Sequence, residues 1–307
     1  TTERQYPLAR EVRLALPKSP GVYRMLDRNG RVLYVGKATK LKDRVNSYYR
    51  QKRLANDKME LVSQVWSLDI TVTESALHAA LLESKEIKRL TPPYNHALQE
   101  ERRQVTWCSR ESFSKTATSQ SERTPLGPFS SRTMCAHFAD VIAFVNGGDL
   151  DWYRGVDAEL LGEGLALFRE RFGVGQLDVS QLLAIGAELH PLDRTQPDER
   201  PKVTAVTSES VAAMLAWTAA SAHRTVRRGE WMRRLSNGLI RWNTTTGEEC
   251  ELHLGVEDFD SVAMYDHVSV ALAELRRLLR DERLLSVTDN YGDELSAQDL
   301  AAEFASF

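Results

Sequence analysis

The chain has 307 residues, 42% of them hydrophobic and 27% charged, and a formal net charge of -3. That length allows a substantial core and two domains, and the composition is that of an ordinary soluble protein, with no apolar run near the ~20 residues of a membrane-spanning helix. The three cysteines, Cys108, Cys135 and Cys250, are too widely spaced for a disulfide scaffold or a four-cysteine metal site.

The start, "TTERQYPLAREVRLALPKSPG", has no compact apolar stretch before a cleavage-like site, so it does not read as a signal peptide. A cytoplasmic, nucleoid-associated bacterial protein is the expectation. The first residue is not Met, which fits a trimmed chain or one cut from something longer. Charge is unevenly distributed. Residues 1–105 hold 20 Lys and Arg against 12 Asp and Glu, a balance of +8; residues 106–307 hold 20 against 31, a balance of -11. The first part offers a phosphate-binding surface that the whole-chain charge hides.

In chain order, "GVYRML" and "RVLYVG" flank "DRNG", whose Asn29-Gly30 favours positive φ, so a β-hairpin is predicted. "TKLKDRVNSYYR" follows as a helix burying Leu41, Val45 and Tyr48, with Thr39 as its cap. A helix end then leads into a strand near Val65–Val72. Next comes the clearest helix, from Thr73 through "TESALHAALLESKEIKRL" to a stop at "TPP" (91–93). Strand, strand, helix, strand, helix defines a small α/β unit. Residues 106–126 read as a linker or mobile loop. Beyond them, 127–307 is expected to be a mainly helical domain: two helices within 156–188, an irregular stretch at 190–203, one long helix through "SESVAAM…WMRRL" broken at Gly229, a short hairpin from "LIRWN" and "ECELHL", and a last helix running into a loose acidic tail.

The hairpin carries chemistry. A free tyrosine has a pKa of about 10, and nearby positive charge favours the phenolate. Tyr23, Tyr34, Lys37 and Arg44 are placed to reach one edge of the sheet. Glu83, in an apolar stretch of helix, can hold a hard cation through oxygen. Asn95, just past "PPY", can support a ligand or brace a loop. Taken together these are the parts of a phosphodiesterase site: metal, base and a cation over the phosphate. Taken singly, each has another duty: the tyrosines as packing aromatics, the cations as solvated groups, Glu83 as a helix-face ion pair, Asn95 as a turn residue.

Residues 17–96 resemble the GIY-YIG nuclease domain, and most of all the UvrC-like branch of that family, the nuclease of bacterial nucleotide excision repair and its short homologues. "PGVYRMLD…GRVLYVGKATKLKDRVNSYY" and "TESALHAALLESKEIKRLTPPYN" carry the resemblance, with Val22 and Val35 where the eponymous motifs have Ile. It implies a metal-dependent endonuclease that hydrolyses one strand of damaged or distorted duplex DNA in repair. It implies Tyr34 as general base or water-positioning group, with Tyr23 as its companion. It further implies Lys37 near the water and metal, Arg44 on the phosphate, Tyr48 near the scissile backbone, Glu83 as sole carboxylate ligand of one Mg²⁺ or Mn²⁺, and Asn95 at the margin. The DNA-binding face is expected on Lys40, Lys42, Arg50, Lys52 and Arg53.

The resemblance covers about a quarter of the chain. "LGPFSSR" (126–132) is similar to a segment that follows the domain in short homologues, and in fusions behind a polymerase proofreading-type exonuclease. Two other functions stay open: an inactive nucleic-acid-binding scaffold, and a module recruiting a repair or replication partner through the acidic part.

Overall fold

The computed structural model describes residues 6–50, 56–95, 105–113, 115–116, 125–130, 132–148, 156–189, 206–257, 259 and 261–305. After a short helix α1 (Arg10–Leu14), β1 (Gly21–Leu26) and β2 (Val32–Ala38) form the predicted hairpin. Asp27 holds its turn, the carboxylate accepting from the N–H of Asn29 at 2.8 Å and of Arg31 at 2.9 Å. Gly30 takes the positive φ, 79°; Asn29 does not. α2 (Leu41–Arg50) and α3 (Asn56–Gln64) precede β3 (Ser67–Val72), which pairs antiparallel with β1, so the sheet order is β2-β1-β3. α4 (Ala76–Leu90) completes this part.

Strand alternation divides the side chains between two faces. Tyr23, Met25 and Ala38 pack against Leu41, Val45 and Tyr48 of α2 and Leu61 and Val62 of α3. Val22 and Val35, on the other face, pack against Ala79 and Ile87 of α4. Each fully buried Val, Leu, Ile or Met side chain among them contributes about 1.5–3 kcal/mol.

Both helix starts differ from expectation. Thr39 does not cap α2; the N–H groups of Leu41 and Lys42 donate to the carbonyls of Ser19 (3.1 Å) and Pro17 (2.9 Å). The loop entering β1 thus satisfies donors a hydroxyl would otherwise take. α4 is capped by Ser75, whose Oγ accepts the His78 N–H at 3.2 Å, and it stops at left-handed Thr91 before the two prolines.

The stretch expected to be a linker carries structure. β4 (Thr106–Cys108), β5 (Lys115–Thr116) and β6 (Leu126–Phe129) form a sheet in the order β5-β4-β6. Strands of two to four residues are too short to show a period. α5 (Arg132–Val145), α6 (Ala158–Phe172), α7 (Val179–Leu189) and α8 (Ser208–Leu235) follow, sharing a core that includes Phe138, Phe168, Leu182 and Leu215. The irregular stretch expected at 190–203 lies outside the described residues. α8 runs unbroken through Gly229, and the glycine serves the crossing with β6: a Cβ there would lie 2.9 Å from the Gly127 carbonyl carbon.

β7 (Leu239–Asn243), β8 (Glu249–His253), α9 (Val262–Arg280), β9 (Leu284–Thr288), β10 (Glu294–Ser296) and α10 (Ala297–Ala305) complete the fold, with sheet order β10-β9-β7-β8. The expected loose acidic tail is therefore strand, strand, helix. Its acids are used: Asp289 accepts the N–H groups of Tyr291 and Asp293 and pairs with Arg234 Nε at 2.9 Å. The three cysteines are free. No helix among the described residues is long and apolar enough to cross a membrane.

By internal packing the chain forms two compact units. One gathers the described residues of Thr1–Arg103, Trp242–Cys250 and Ala263–Arg283; the other holds the described residues of Gln104–Arg241, Glu251–Val262 and Leu284–Phe307. Nearly all of α9 belongs with the first unit.

Candidate active site

β2 is an edge strand, so its outer backbone groups need partners from elsewhere. α4 and its exit supply them. The Leu33 carbonyl accepts the Tyr94 N–H at 3.1 Å. Val35 is clasped on both sides by Asn95, whose Oδ1 accepts its N–H at 2.9 Å and whose Nδ2 donates to its carbonyl at 2.8 Å. The Lys37 N–H donates to Glu83 Oε1 at 2.9 Å. The helix thereby delivers its one site carboxylate to the strand that carries Tyr34.

On the α2 face, three tyrosines form a cluster. Ring centroids of Tyr23, Tyr34 and Tyr48 lie 6.1–6.3 Å apart, and the Tyr23 and Tyr48 hydroxyls are hydrogen-bonded at 3.0 Å. Gly36 makes room for them: a Cβ there would sit 2.5 Å from Cζ and the hydroxyl of Tyr23 and 2.8 Å from Cε1 of Tyr34. The exposed Arg44 lies with its guanidinium carbon 5.5 Å from the Tyr48 ring centre.

The electrostatics follow from burial. Burial first, then Tyr48 and Glu83, raise the Tyr34 phenol far above its ordinary value, with Arg44 opposing. Burial and the two neighbouring phenols do the same to Tyr23. Both are neutral phenols at neutral pH. Burial also raises the Glu83 carboxyl, against the Lys37 ammonium, the Lys37 N–H and Arg44; Glu274 adds to the rise.

Tyr23, Tyr34, Arg44, Tyr48 and Glu83 thus come together. Lys37 stands apart from the tyrosines: alternation along β2 puts it on the Val35 face, where it acts on Glu83 and not on the phenol. Its Nζ pairs with Glu274 Oε1 at 3.1 Å. Asn95 is a backbone brace, buried with both ends of its amide engaged. Of the expected DNA-binding cations, Lys40 and Arg50 are exposed and Lys42 is half-buried. Lys52 and Arg53 lie outside the described residues.

Two groups escaped sequence reasoning. Arg24 is buried against α4, donating from Nε to Glu86 Oε2 at 2.6 Å and from Nη2 to Glu86 Oε1, and pairing with Asp69 at 3.1 Å. An arginine inside a run of buried strand residues, "GVYRML", was the available signal. Glu274 is 237 residues from Lys37, and nothing local marks it.

Glu83 Oε2 accepts no hydrogen bond from the described residues, and among these residues no group of three His, Cys, Asp or Glu side chains converges as a metal cage. One carboxylate oxygen beside an edge backbone suits a hard ion that keeps most of its ligands as water.

Residues 19–96 match the family described as the UvrC-like GIY-YIG domain. The match begins at the loop before β1 and ends just past Asn95, so it frames the β2 edge and every residue brought to it from α2 and α4. UvrABC system protein C of Legionella pneumophila (strain Lens) is 52% identical over 87 residues, 28% of this chain and 14% of that protein. The same protein of Novosphingobium aromaticivorans is 50% identical over 93 residues, 30% of this chain and 14% of that one. The chain spans about 14% of the length of these curated relatives. Among solved structures, the GIY-YIG N-terminal endonuclease domain of UvrC from Thermotoga maritima, bound to magnesium, is 30% identical and covers 28% of this chain and 93% of its own, with a TM-score of 0.26.

Proposed function

We propose that this protein is a divalent-metal-dependent DNA endonuclease that hydrolyses one strand of damaged or distorted duplex during repair in the cytoplasm. The observation that carries the reading is the convergence of Tyr34, Arg44 and Glu83 at the β2 edge, inside the segment that matches a nuclease domain family.

In this reading Glu83 Oε2 would hold one Mg²⁺ or Mn²⁺, while Oε1 stays anchored to the Lys37 N–H. The bound ion would polarise the phosphate and neutralise the leaving oxygen. Tyr34 orients the attacking water as a neutral phenol, held by Tyr48, which is itself fixed by Tyr23. This departs from a phenolate supported by Lys37, because that lysine lies on the other face. Arg44 meets charge growing on the phosphoryl oxygens, for which a planar five-donor group is suited. Asn95 keeps β2 in place. Lys40, Lys42 and Arg50 carry the approach of the backbone phosphates, a sequence-independent contribution.

The experiment is plasmid nicking by the purified chain with and without Mn²⁺. Metal-dependent nicking that Glu83→Gln abolishes supports the reading. DNA binding without nicking under any metal supports the scaffold alternative, and absence of both favours a protein-interaction role.

A further inference from the structure

We propose that Glu274 is a built-in competitor for DNA. Helix α9 sets its carboxylate on the Lys37 ammonium, where a backbone phosphate would bind, and DNA can engage the β2 edge only when that contact opens. The inference rests on the nuclease reading of this edge.

Two ion pairs dock α9 within the first unit. Lys37 Nζ meets Glu274 Oε1 at 3.1 Å, and Lys88 Nζ, on α4, meets Asp266 Oδ2 at 2.9 Å. Both acids are buried and lie eight residues apart on α9. Carboxylates are seldom buried unless paired, and here lysines of the nuclease segment are among their partners. Arg277 Nε adds a contact to Glu274 Oε2 at 3.3 Å.

The pairing is awkward for a nuclease. Carboxylate and phosphate compete for the same charged donors. Lys37 touches both acids, Glu83 through its backbone N–H and Glu274 through its ammonium. A phosphate arriving at the Lys37 side of the edge therefore meets a second carboxylate beside the one meant for metal. Breaking the pair leaves the buried Glu274 with Arg277 as its remaining cation, so opening must be driven by DNA itself or by a partner that takes α9. A site closed ten to one binds its ligand about tenfold more weakly than an open one.

The test compares the full chain with Glu274→Gln, which keeps shape and removes charge. Duplex DNA affinity is measured in Ca²⁺, single-turnover nicking in Mn²⁺, and folding by thermal melting. Labelling of Lys37 by an amine-reactive reagent reads the contact directly. The expected result is DNA binding tighter by roughly tenfold, faster nicking at subsaturating DNA, and greater Lys37 labelling. Should Glu274→Gln unfold, Asp266→Asn loosens the same helix without touching the site, and the same changes are expected to a smaller degree. A folded variant whose DNA affinity is unchanged or weaker, in a chain that does nick DNA, overturns this inference alone. If neither wild type nor variant binds or nicks DNA, the nuclease reading fails and takes this inference with it.

Discussion

Glu83 Oε1 accepts the backbone N–H of Lys37 at 2.9 Å, and this bond ties α4 to the outer edge of β2. It fixes where the site carboxylate sits relative to Tyr34 without using the oxygen assigned to metal. Burial of the same carboxylate, working against this bond, sets the sign of two stability effects.

Glu83→Gln is expected to stabilise the metal-free protein at neutral pH. Burial raises the Glu83 carboxyl above its unfolded value, so the folded state binds the proton more tightly. Such a group weighs against folding above its folded pKa, and that burden disappears as pH falls below the unfolded value of about 4.3. The melting advantage of Glu83→Gln should be largest at pH 7–8 and vanish near about pH 4. Mn²⁺ should reverse the order, since an ion at a hundred times its Kd adds about 2.7 kcal/mol to wild type only. A melting series over pH, with and without Mn²⁺, checks both signs.

Asn95→Ala should destabilise the first unit. It strips partners from the N–H and carbonyl of Val35, a fully buried residue. Each buried unpaired group costs about 1–3 kcal/mol. Denaturant unfolding should show a loss of about 2 kcal/mol or more. A loss below about 0.5 kcal/mol, the range of an ordinary surface change, would contradict the brace.

Gly36→Ala should impair chemistry more than DNA binding. The added methyl must displace the Tyr23 and Tyr34 rings, an overpacking cost of about 1–3 kcal/mol. Single-turnover nicking should fall while DNA affinity stays near wild type. Equal losses in both would mean that the tyrosine cluster does not serve the chemical step.

Much of this was legible locally. The hairpin, the buried positions of α2 and the stop of α4 follow from turn residues and spacing. Glu83 stood out as a charge in an apolar helical stretch. The rest depends on contacts far apart in sequence. The Asn95 clasp joins residues 60 apart, and the Lys37–Glu274 pair joins residues 237 apart. Lys37 lies away from the tyrosines because strand alternation sets it and Tyr34 on opposite faces of β2. β4 and β5 are too short to betray themselves, and Asp289 after α9 pairs with Arg234, 55 residues away, which no local window contains.

Removing Lys40, Lys42 and Arg50 together should weaken DNA binding about equally across sequences. If each neutralises one phosphate, the slope of log affinity against log salt should shrink by about 0.9 per residue, or about 3 in all. A salt titration by fluorescence anisotropy gives that slope. An unchanged slope would move the DNA face elsewhere.

The central claim is that the β2 edge cuts DNA, with Tyr34 orienting water, Arg44 on the phosphate and Glu83 on the metal. Single-turnover nicking at saturating Mn²⁺, measured beside DNA affinity on folded Tyr34→Phe, Arg44→Ala and Glu83→Gln, tests it most directly. The account predicts that Arg44→Ala slows nicking on the order of a hundredfold with affinity little changed. It predicts that Tyr34→Phe behaves likewise and that Glu83→Gln also loses its response to added metal. Near-wild-type nicking by folded Tyr34→Phe and Glu83→Gln would contradict it.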